Sequence, residues 1–218
     1  MARGRGAAPA LAALLAIGPA EAAAGADLVP LVVDHARSWL VATTDRAGLL
    51  GFLGHRHAVL ATGWRATIAA SPDLARGTVA LTVPAAGLLI DTEEAVRLAG
   101  LRARPDEETV RQLQAKMLGP GVLDAARHPL AEFQGEVVGA PGPGRLRLRG
   151  SLRLRGREQP LEVELAVDRL PDATYRFTGE IRIRQTAFGI TPESVAGVVH
   201  VADPVTVRIA VVAAPRPP

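Results

Sequence analysis

The strongest constraint on the fold of this chain is a strict alternation of arginine and leucine between residues 145 and 155. The segment reads RLRLRGSLRLR. Because successive side chains of a β-strand point to opposite faces, the arginines share one face and the leucines the other. Gly150 and Ser151 interrupt the alternation without changing its phase. We therefore predict one long strand, with a bend or a close approach at Gly150, in a sheet with one wet and one buried face.

The residues that follow predict the partner of this strand. A turn is expected over residues 156–160, and residues 161–167 then alternate between aliphatic side chains and Glu162 or Glu164. If the two strands pair antiparallel, arginines lie beside glutamates on the solvent-exposed face and leucines lie beside valines on the buried face. We interpret the arginine row as a solvated face with cross-strand ion pairs rather than an anion-binding patch, because the glutamates face it.

Similar alternation, or a short apolar run bounded by turn residues, marks the remaining strands. They are predicted at residues 28–33, 38–44, 57–69, 77–83, 131–138, 175–184 and 205–211. Proline and glycine separate several of them, most clearly at residues 139–144. About nine strand segments with tight connections predict a mainly β fold, either an antiparallel barrel or a sandwich.

One stretch, between Thr92 and Pro129, breaks the β pattern. Its acidic clusters at residues 93–94 and 106–108 are typical of the first turns of helices. The second cluster is followed by one apolar helical face, spaced i, i+3 and i+7, in Val110, Leu113 and Met117. That helix is expected to end at residues 119–120, a Gly-Pro pair. We predict that this helical insertion covers one end of the barrel.

The N-terminal residues have the composition of a targeting segment. Two arginines precede an uncharged run from Ala7 to Ile17, and small residues with the spacing that signal peptidase recognises come next. The run is too short for a permanent membrane helix, which needs about 20 apolar residues. We therefore expect a cleavable signal peptide over residues 1–22 rather than a disordered tail. Residues 27–213 would then form a single barrel domain of an exported protein, periplasmic or secreted.

Composition excludes several classes of function. The chain of 218 residues has no cysteine, which rules out disulfide scaffolds, Cys-ligated zinc, thiol nucleophiles and iron–sulfur clusters. Its formal net charge of +3 is too small to indicate a nucleic-acid partner. The sequence contains no nucleophile elbow, P-loop or dinucleotide-binding glycine motif. We identify no catalytic residue, and the absence of these motifs favours a binding protein over an enzyme.

Several short motifs occur in a distinctive order along the chain. They are VDHARS (33–38), VPAAGL (83–88), MLGPGVLD (117–124) with RHP (127–129), GSLRLRG (150–156), QTAFGI (185–190) and VADPV (201–205). In this order they resemble the YceI-like family of exported, lipocalin-like barrels. The resemblance implies a long antiparallel β-barrel of about eight strands that holds an apolar chain, with polyisoprenoids or related lipids as ligands.

Strand parity predicts which side chains would contact such a ligand. An eight-stranded barrel with a continuous apolar lining can enclose one small ligand. The side chains expected in this lining are Trp64, Phe133, Leu146, Leu148, Leu152, Leu154, Phe177 and Ile181. The alternative is a barrel filled by its own side chains. Glycines within strands, and an aromatic content of only 3%, favour open space.

The sharpest polar motif is Gly54-His55-Arg56-His57, a G-H-x-H variant of the family pattern. Imidazoles at i and i+2 of an extended segment project to the same side, so His55 and His57 could meet one transition-metal ion or one anionic head group. A metal would need further ligands, for which the candidates are His35, His128, His200, Asp34 and Asp91. The alternative is ordinary hydrogen bonding at the barrel mouth, since two ligands do not make a metal site.

Two classes of function remain. The first is an exported binding protein that holds or carries an apolar chain-like ligand, a polyisoprenoid or other lipid. The second is a metal- or histidine-dependent enzyme with His55 and His57 at the barrel mouth. In either case we expect no nucleic-acid partner and no transmembrane segment, and the sequence leaves the oligomeric state open, a homodimer included.

Overall fold

The structure is a computed structural model that describes residues 28–47, 56–171, 174–192, 194–195 and 199–216. Its two helices are α1 (Glu93–Ala99) and α2 (Glu107–Leu118). Its strands are β1 (Val29–Val33), β2 (Trp39–Ala47), β3 (His57–Ala61), β4 (Arg65–Ala70), β5 (Gly77–Pro84), β6 (Leu88–Ile90), β7 (Leu130–Gly139), β8 (Arg145–Leu154), β9 (Arg157–Arg169), β10 (Tyr175–Arg184), β11 (Ser194–Val195) and β12 (Val199–Pro215). Short 3-10 turns lie at His35–Arg37, Ala85–Gly87 and Gln185–Phe188.

The strands form a closed antiparallel barrel, not a sandwich. Neighbours follow the order β1-β4-β5-β7-β8-β9-β10-β12, and β12 returns to β1 with Leu31 opposite Pro215 and Val33 opposite Ala213. The sheet also continues from β12 through β2 and β3 to β6. This is an eight-strand, mainly β, lipocalin-like barrel with a helical insertion, which confirms the predicted fold class.

Three neighbouring barrel strands are each broken, and the breaks adjoin one another. The first break separates β1 from β2, the second separates β3 from β4 and the third separates β5 from β6. Thr62 N–H donates to Gly87 O at 2.8 Å, and the ring of His35 lies 4.4 Å from that of Trp64. The prediction of one continuous strand over residues 57–69 is therefore wrong at its centre, where Gly63 adopts a left-handed conformation with φ +64.

The arginine-rich strand pairs as the alternation predicted. Arg147 stands opposite Glu164 and Arg149 opposite Glu162 across β8 and β9. The charged groups form ion pairs at 2.7 Å and 3.0 Å respectively, on the outer face of the barrel. These cross-strand pairs confirm the interpretation of the arginine row as a solvated, paired face.

Gly150 makes the close approach that its place in the alternation predicted. It lies opposite Gly135 of β7, where a side-chain carbon would collide with the carbonyl oxygen of Gln134. The turn after β8, by contrast, is shorter than predicted. Only Arg155 and Gly156 lie between β8 and β9, both with positive φ (50 and 70), as a two-residue hairpin turn requires.

Both helices of the insertion begin at the acidic clusters, as predicted, and each has a side-chain cap. Thr92 Oγ1 accepts a hydrogen bond from Ala95 N–H at 3.1 Å at the start of α1, and Asp106 Oδ1 accepts from Thr109 N–H at 2.8 Å at the start of α2. Helix α1 buries Ala95 against β2 and β3. Helix α2 turns Met117 towards one end of the barrel. No helix in the described part of the chain is long and apolar enough to cross a membrane.

Helix α2 also completes the free edge of the sheet. Within the described residues, β6 pairs with β3 on one side only. On its other side, Gln114 Oε1 accepts from Ile90 N–H at 2.9 Å, and Gln114 Nε2 donates to Leu88 O at 2.8 Å. One side-chain amide thus takes the place of a neighbouring strand and fixes α2 beside the barrel.

Candidate ligand cavity

The barrel encloses an apolar cavity of about 330 Å³. This size lies at the lower end of the roughly 300–1,000 Å³ that is typical of ligand-binding cavities. Residues from all eight barrel strands contribute to its wall. Apart from Trp64, Thr78 and Gln185, every lining residue is aliphatic, phenylalanine or glycine. Such a wall favours hydrocarbon and penalises a charged or strongly polar ligand, which would lose its hydrogen bonds to water.

All eight apolar side chains that the parity argument selected lie in this wall. They are Trp64, Phe133, Leu146, Leu148, Leu152, Leu154, Phe177 and Ile181. Seven of them belong to β7, β8 and β10, whose side chains alternate between the cavity and solvent. Trp64 instead follows the break after β3 and is only 5% exposed. Contact between these residues and a ligand stays a prediction.

One end of the cavity, the loop end, is formed at the connection between β4 and β5. Leu74 lines the cavity from this connection with φ 59. The backbone is held by Ser71, whose N–H donates to Arg76 O at 2.8 Å and whose O accepts from Leu74 N–H at 2.8 Å. Hydrogen bonds from the Ser71 hydroxyl and the Ala75 amide hold the pKa of Asp73 below its usual value. Together these bonds keep an apolar loop residue directed into the barrel.

The other end of the cavity, the helix end, is closed by α2 and the turn after β10. Met117 packs there with Leu123, Phe188 and Ile190, of which the last three line the cavity. Gln185 lines this end as well. Its Nε2 donates to Ala202 O at 2.9 Å and approaches Asp203 O at 3.5 Å. These bonds hold the Gln185 side chain against β12, and the cavity wall stays apolar at this end.

His57 lies outside the cavity wall and is held by a buried carboxylate. Its Nδ1 is 2.6 Å from Asp91 Oδ2, and the other carboxylate oxygen accepts from Ala58 N–H at 2.8 Å. Asp91 is 1% exposed and has φ 50, just after β6. With Nδ1 bonded to the carboxylate, Nε2 is the ring nitrogen left for another partner. His55, the other member of the predicted pair, lies outside the described residues.

Of the further metal-ligand candidates, Asp91 contacts His57, whereas the others that the structure describes lie in different surroundings. The ring of His35 lies tilted against that of Trp64, and the Asp34 carboxylate accepts from the Ala36 and Arg37 amides in the turn after β1. His128 lies against the turn at Gly156. The side chain of His200 is outside the described part. Within that part, no group of three or more His, Cys, Asp or Glu side chains could hold a metal ion. The metal at His55 and His57 stays a prediction.

Comparison with protein families decides the family. Residues 33–213 match the model of the YceI-like domain. The chain belongs to the YceI-like family. No curated protein is similar enough in sequence to count as a relative of this YceI-like chain.

Solved structures share this YceI-like fold at low sequence identity. BcnA from Burkholderia cenocepacia is 20% identical with a TM-score of 0.63, over 83% of this chain and 99% of that one. A polyisoprenoid binding domain from Saccharophagus degradans, implicated in plant cell wall breakdown, is 13% identical with a TM-score of 0.55, over 87% and 99%. The YceI protein of Campylobacter jejuni is 15% identical with a TM-score of 0.52, over 72% and 84%.

Sequence reasoning missed two residues that matter for this YceI-like cavity. Leu74 lies in a loop without periodicity, so no sequence signal marked it as part of the wall. Gln185 had a signal that was not used. It continues the inward parity of Ile181 and Ile183, and a polar residue on this parity marks the end of the apolar run of the strand.

Proposed function

We propose that this YceI-like protein is an exported binding protein that holds or carries an apolar chain-like ligand, a polyisoprenoid or another lipid, inside its barrel. The observation that carries the proposal is the apolar cavity of about 330 Å³. Burial of apolar surface contributes roughly 25 cal/mol per Å², so an extended hydrocarbon gains affinity along its whole length. The wall has no charged residue that could pair with an anionic ligand.

The comparisons support the class of ligand in this proposal. One similar fold, from Saccharophagus degradans, is a polyisoprenoid binding domain. At 13% identity this likeness establishes the shared fold, while the family and the apolar wall together favour a chain-like lipid here. Export is proposed from the basic, alanine-rich character of residues 1–22, which matches a secretory signal peptide.

The decisive experiment combines lipid analysis with a matched pair of variants. Leu152→Arg places a charge in the cavity wall, whereas Ser151→Arg places the same charge one residue away on the opposite face of β8. We expect the parent and Ser151→Arg proteins to co-purify with lipid, detected by mass spectrometry of an organic extract. Leu152→Arg should lose the lipid. A soluble Leu152→Arg protein with full lipid occupancy would show that this face is not the binding site.

A second candidate function, a histidine- or metal-dependent activity, is favoured by one observation. The buried Asp91 carboxylate orients His57 through Nδ1 at 2.6 Å, as a carboxylate does for many metal-ligating or proton-transferring histidines. Elemental analysis of the purified protein separates the two candidates. A stoichiometric transition metal without lipid, lost in His55→Ala/His57→Ala, would favour the second candidate. Lipid without metal would favour the first.

A further inference from the structure

Two neighbouring strands of the barrel, β9 and β10, pair along only part of their length. Their ladder ends after four pairs, at Thr178 opposite Ala166. Beyond this point, within the described residues, residues 157–165 of β9 pair with β8 alone and residues 179–184 of β10 pair with β12 alone. We propose that the ligand enters and leaves the cavity through this unpaired stretch, which we call the seam. The inference rests on the proposed binding function and assigns its route of access.

The sequence accounts for the end of the ladder between these two strands. Continued in the same register, the next outward pair would set Glu180 opposite Glu164, and like charges directly opposite each other destabilise strand pairing. Pro160 lies further along β9 and has no N–H to donate to a neighbouring strand. Gly179 begins the β10 side of the seam, where it has no side chain to pack against β9. All three features work against a longer ladder at this place.

The seam is closed by apolar side chains of the cavity wall. Leu161, Val163 and Leu165 line the cavity from β9, and Ile181 and Ile183 line it from β10. Apolar contacts have no fixed direction, so they can be exchanged one by one for contacts with a passing hydrocarbon. Parting two strands that are joined by a ladder would instead leave backbone N–H and C=O groups without their partners. A chain-like apolar ligand therefore crosses the wall at the seam with the smallest loss of hydrogen bonds.

The cavity and the outer surface come close together at Gly179. A β-carbon at this position would lie 2.7 Å from Leu165 Cδ2, so the side chain of a β9 residue fills the space that the glycine leaves. On the outer side, a surface depression lies over the same point and is lined by Ala166, Thr178 and Gly179. Ile209, which pairs with Gly179, borders both this depression and the cavity. A single layer of residues thus separates the cavity from the depression.

Both ends of the cavity, in contrast, are closed by hydrogen-bonded elements. At the loop end, backbone bonds of Ser71 hold the β4–β5 connection at 2.8 Å. At the helix end, Gln114 joins α2 to β6 through two hydrogen bonds, and Gln185 joins the turn after β10 to β12. Gln159 Nε2 donates to Ala187 O at 3.0 Å and marks the helix-end limit of the seam. Access through either end would break such bonds, whereas access through the middle of the seam leaves them intact.

The test cross-links the seam, which is straightforward because the chain has no cysteine of its own. Glu164→Cys/Glu180→Cys places two thiols across the seam on the outer face, and a short bismaleimide joins them. Arg149→Cys/Glu162→Cys is the matched control, because these two residues already stand opposite each other in the β8–β9 ladder. The probe is diphenylhexatriene, an apolar rod-shaped molecule that fluoresces when it leaves water. Stopped-flow fluorescence of lipid-depleted protein gives its rates of uptake and release before and after cross-linking.

We expect the cross-linked seam to slow both uptake and release by about tenfold or more and to leave the equilibrium affinity unchanged, because a gate alters the barrier and not the bound state. The cross-linked control should keep the rates of the parent. Unchanged rates through a cross-linked seam would overturn the inference while the proposed function stands. Failure of the parent to bind the probe would overturn the proposed function and the inference with it.

Glu180→Lys provides a second test if the double-cysteine protein does not fold or cannot be joined. The substitution sets opposite charges across the seam, so both rates should fall at low salt and recover as added salt screens the pair. Glu136→Lys makes the same change on the outer face of β7, away from the seam, and should leave both rates unchanged. Equal rates in Glu180→Lys and the parent at low salt would overturn the inference.

Discussion

Replacing Gln114 by leucine tests whether one side-chain amide completes the edge of the barrel sheet. In the structure this amide accepts from Ile90 N–H at 2.9 Å and donates to Leu88 O at 2.8 Å. Leucine has nearly the same helix propensity as glutamine, so α2 itself should persist. The substitution therefore removes two hydrogen bonds from β6 and changes little else.

The expected cost follows from the burial of the groups left behind. Ile90 is 7% exposed, so its N–H cannot turn to water without local opening. A buried donor without a partner costs about 1–3 kcal/mol, and the Leu88 carbonyl, on a half-buried residue, loses a hydrogen bond worth roughly 0.5–1.5 kcal/mol in addition. Apolar contacts of the new leucine offset part of this. We expect the free energy of unfolding to fall by roughly 2–4 kcal/mol, a large share of the 5–15 kcal/mol typical of a domain.

Urea unfolding followed by circular dichroism measures this loss, and Gln112→Leu is the control. Gln112 lies on the same helix and donates only to the exposed Glu108 carboxylate at 2.9 Å, so its replacement should change stability by no more than about 0.5 kcal/mol. Hydrogen exchange should also show faster exchange at the Ile90 amide in Gln114→Leu. If Gln114→Leu is as stable as the control and the Ile90 amide stays protected, the edge-completion argument is refuted.

Three further predictions follow from the other polar groups and from the N-terminus. Asp91→Ala leaves the ring of His57 and the amide of Ala58 without their acceptor, so thermal denaturation should show a loss of about 2–4 kcal/mol; an unchanged melting temperature would contradict this. Deleting residues 1–22 should leave a folded protein in the cytoplasm, and N-terminal sequencing of the protein from its native host should find Met1 absent. The pKa of Asp73 is lowered in the fold, so its stabilising effect is complete above the ordinary value of 3.8 and is lost as pH falls through the folded pKa. Asp73→Asn should therefore lose less stability than the parent in acid unfolding, and an equal loss would contradict the assignment.

The sequence predicted strands most clearly where one face of the strand is buried and the other is exposed to solvent. In β8 every second residue faces solvent, and all of these except Ser151 are arginines, so a period of two is visible without any knowledge of the partner strand. The start of α2 was predictable for a related reason. Its cap, Asp106, and the acidic residues that follow satisfy N–H groups and a dipole that belong to the helix itself. Both signals are local, which is why a single sequence contains them.

The breaks in the strands depend on groups that are distant in sequence. The interruption after β3 is set by Thr62, whose N–H donates to Gly87 O, 25 residues further along. Strand β6 has only three residues between a 3-10 turn and α1, too few for an alternation to be visible. Its edge partner, Gln114, sits among the polar residues of a helix, where nothing local distinguishes it from Gln112.

His57 has a partner that no local motif singles out. The sequence placed it with His55, because residues at i and i+2 of an extended segment share a side. The structure gives its Nδ1 a partner 34 positions away, in a carboxylate that also binds Ala58 N–H. Asp91 therefore links the ends of β3 and β6, and the loss of this carboxylate should affect folding as well as any chemistry at His57.

The alternation that predicts the barrel also indicates where its apolar lining ends. On β10 the inward positions carry Phe177, Gly179, Ile181 and Ile183, and the 3-10 turn that follows begins with Gln185. The Gln185 amide donates to Ala202 O of β12 at 2.9 Å, so a polar side chain at the end of the apolar run ties this turn to the neighbouring strand. An aliphatic residue there would continue the alternation but would leave Ala202 O without this donor. The end of the alternation in β10 is therefore set by a hydrogen bond to a strand that is distant in sequence, whereas the alternation itself is set by one-sided burial.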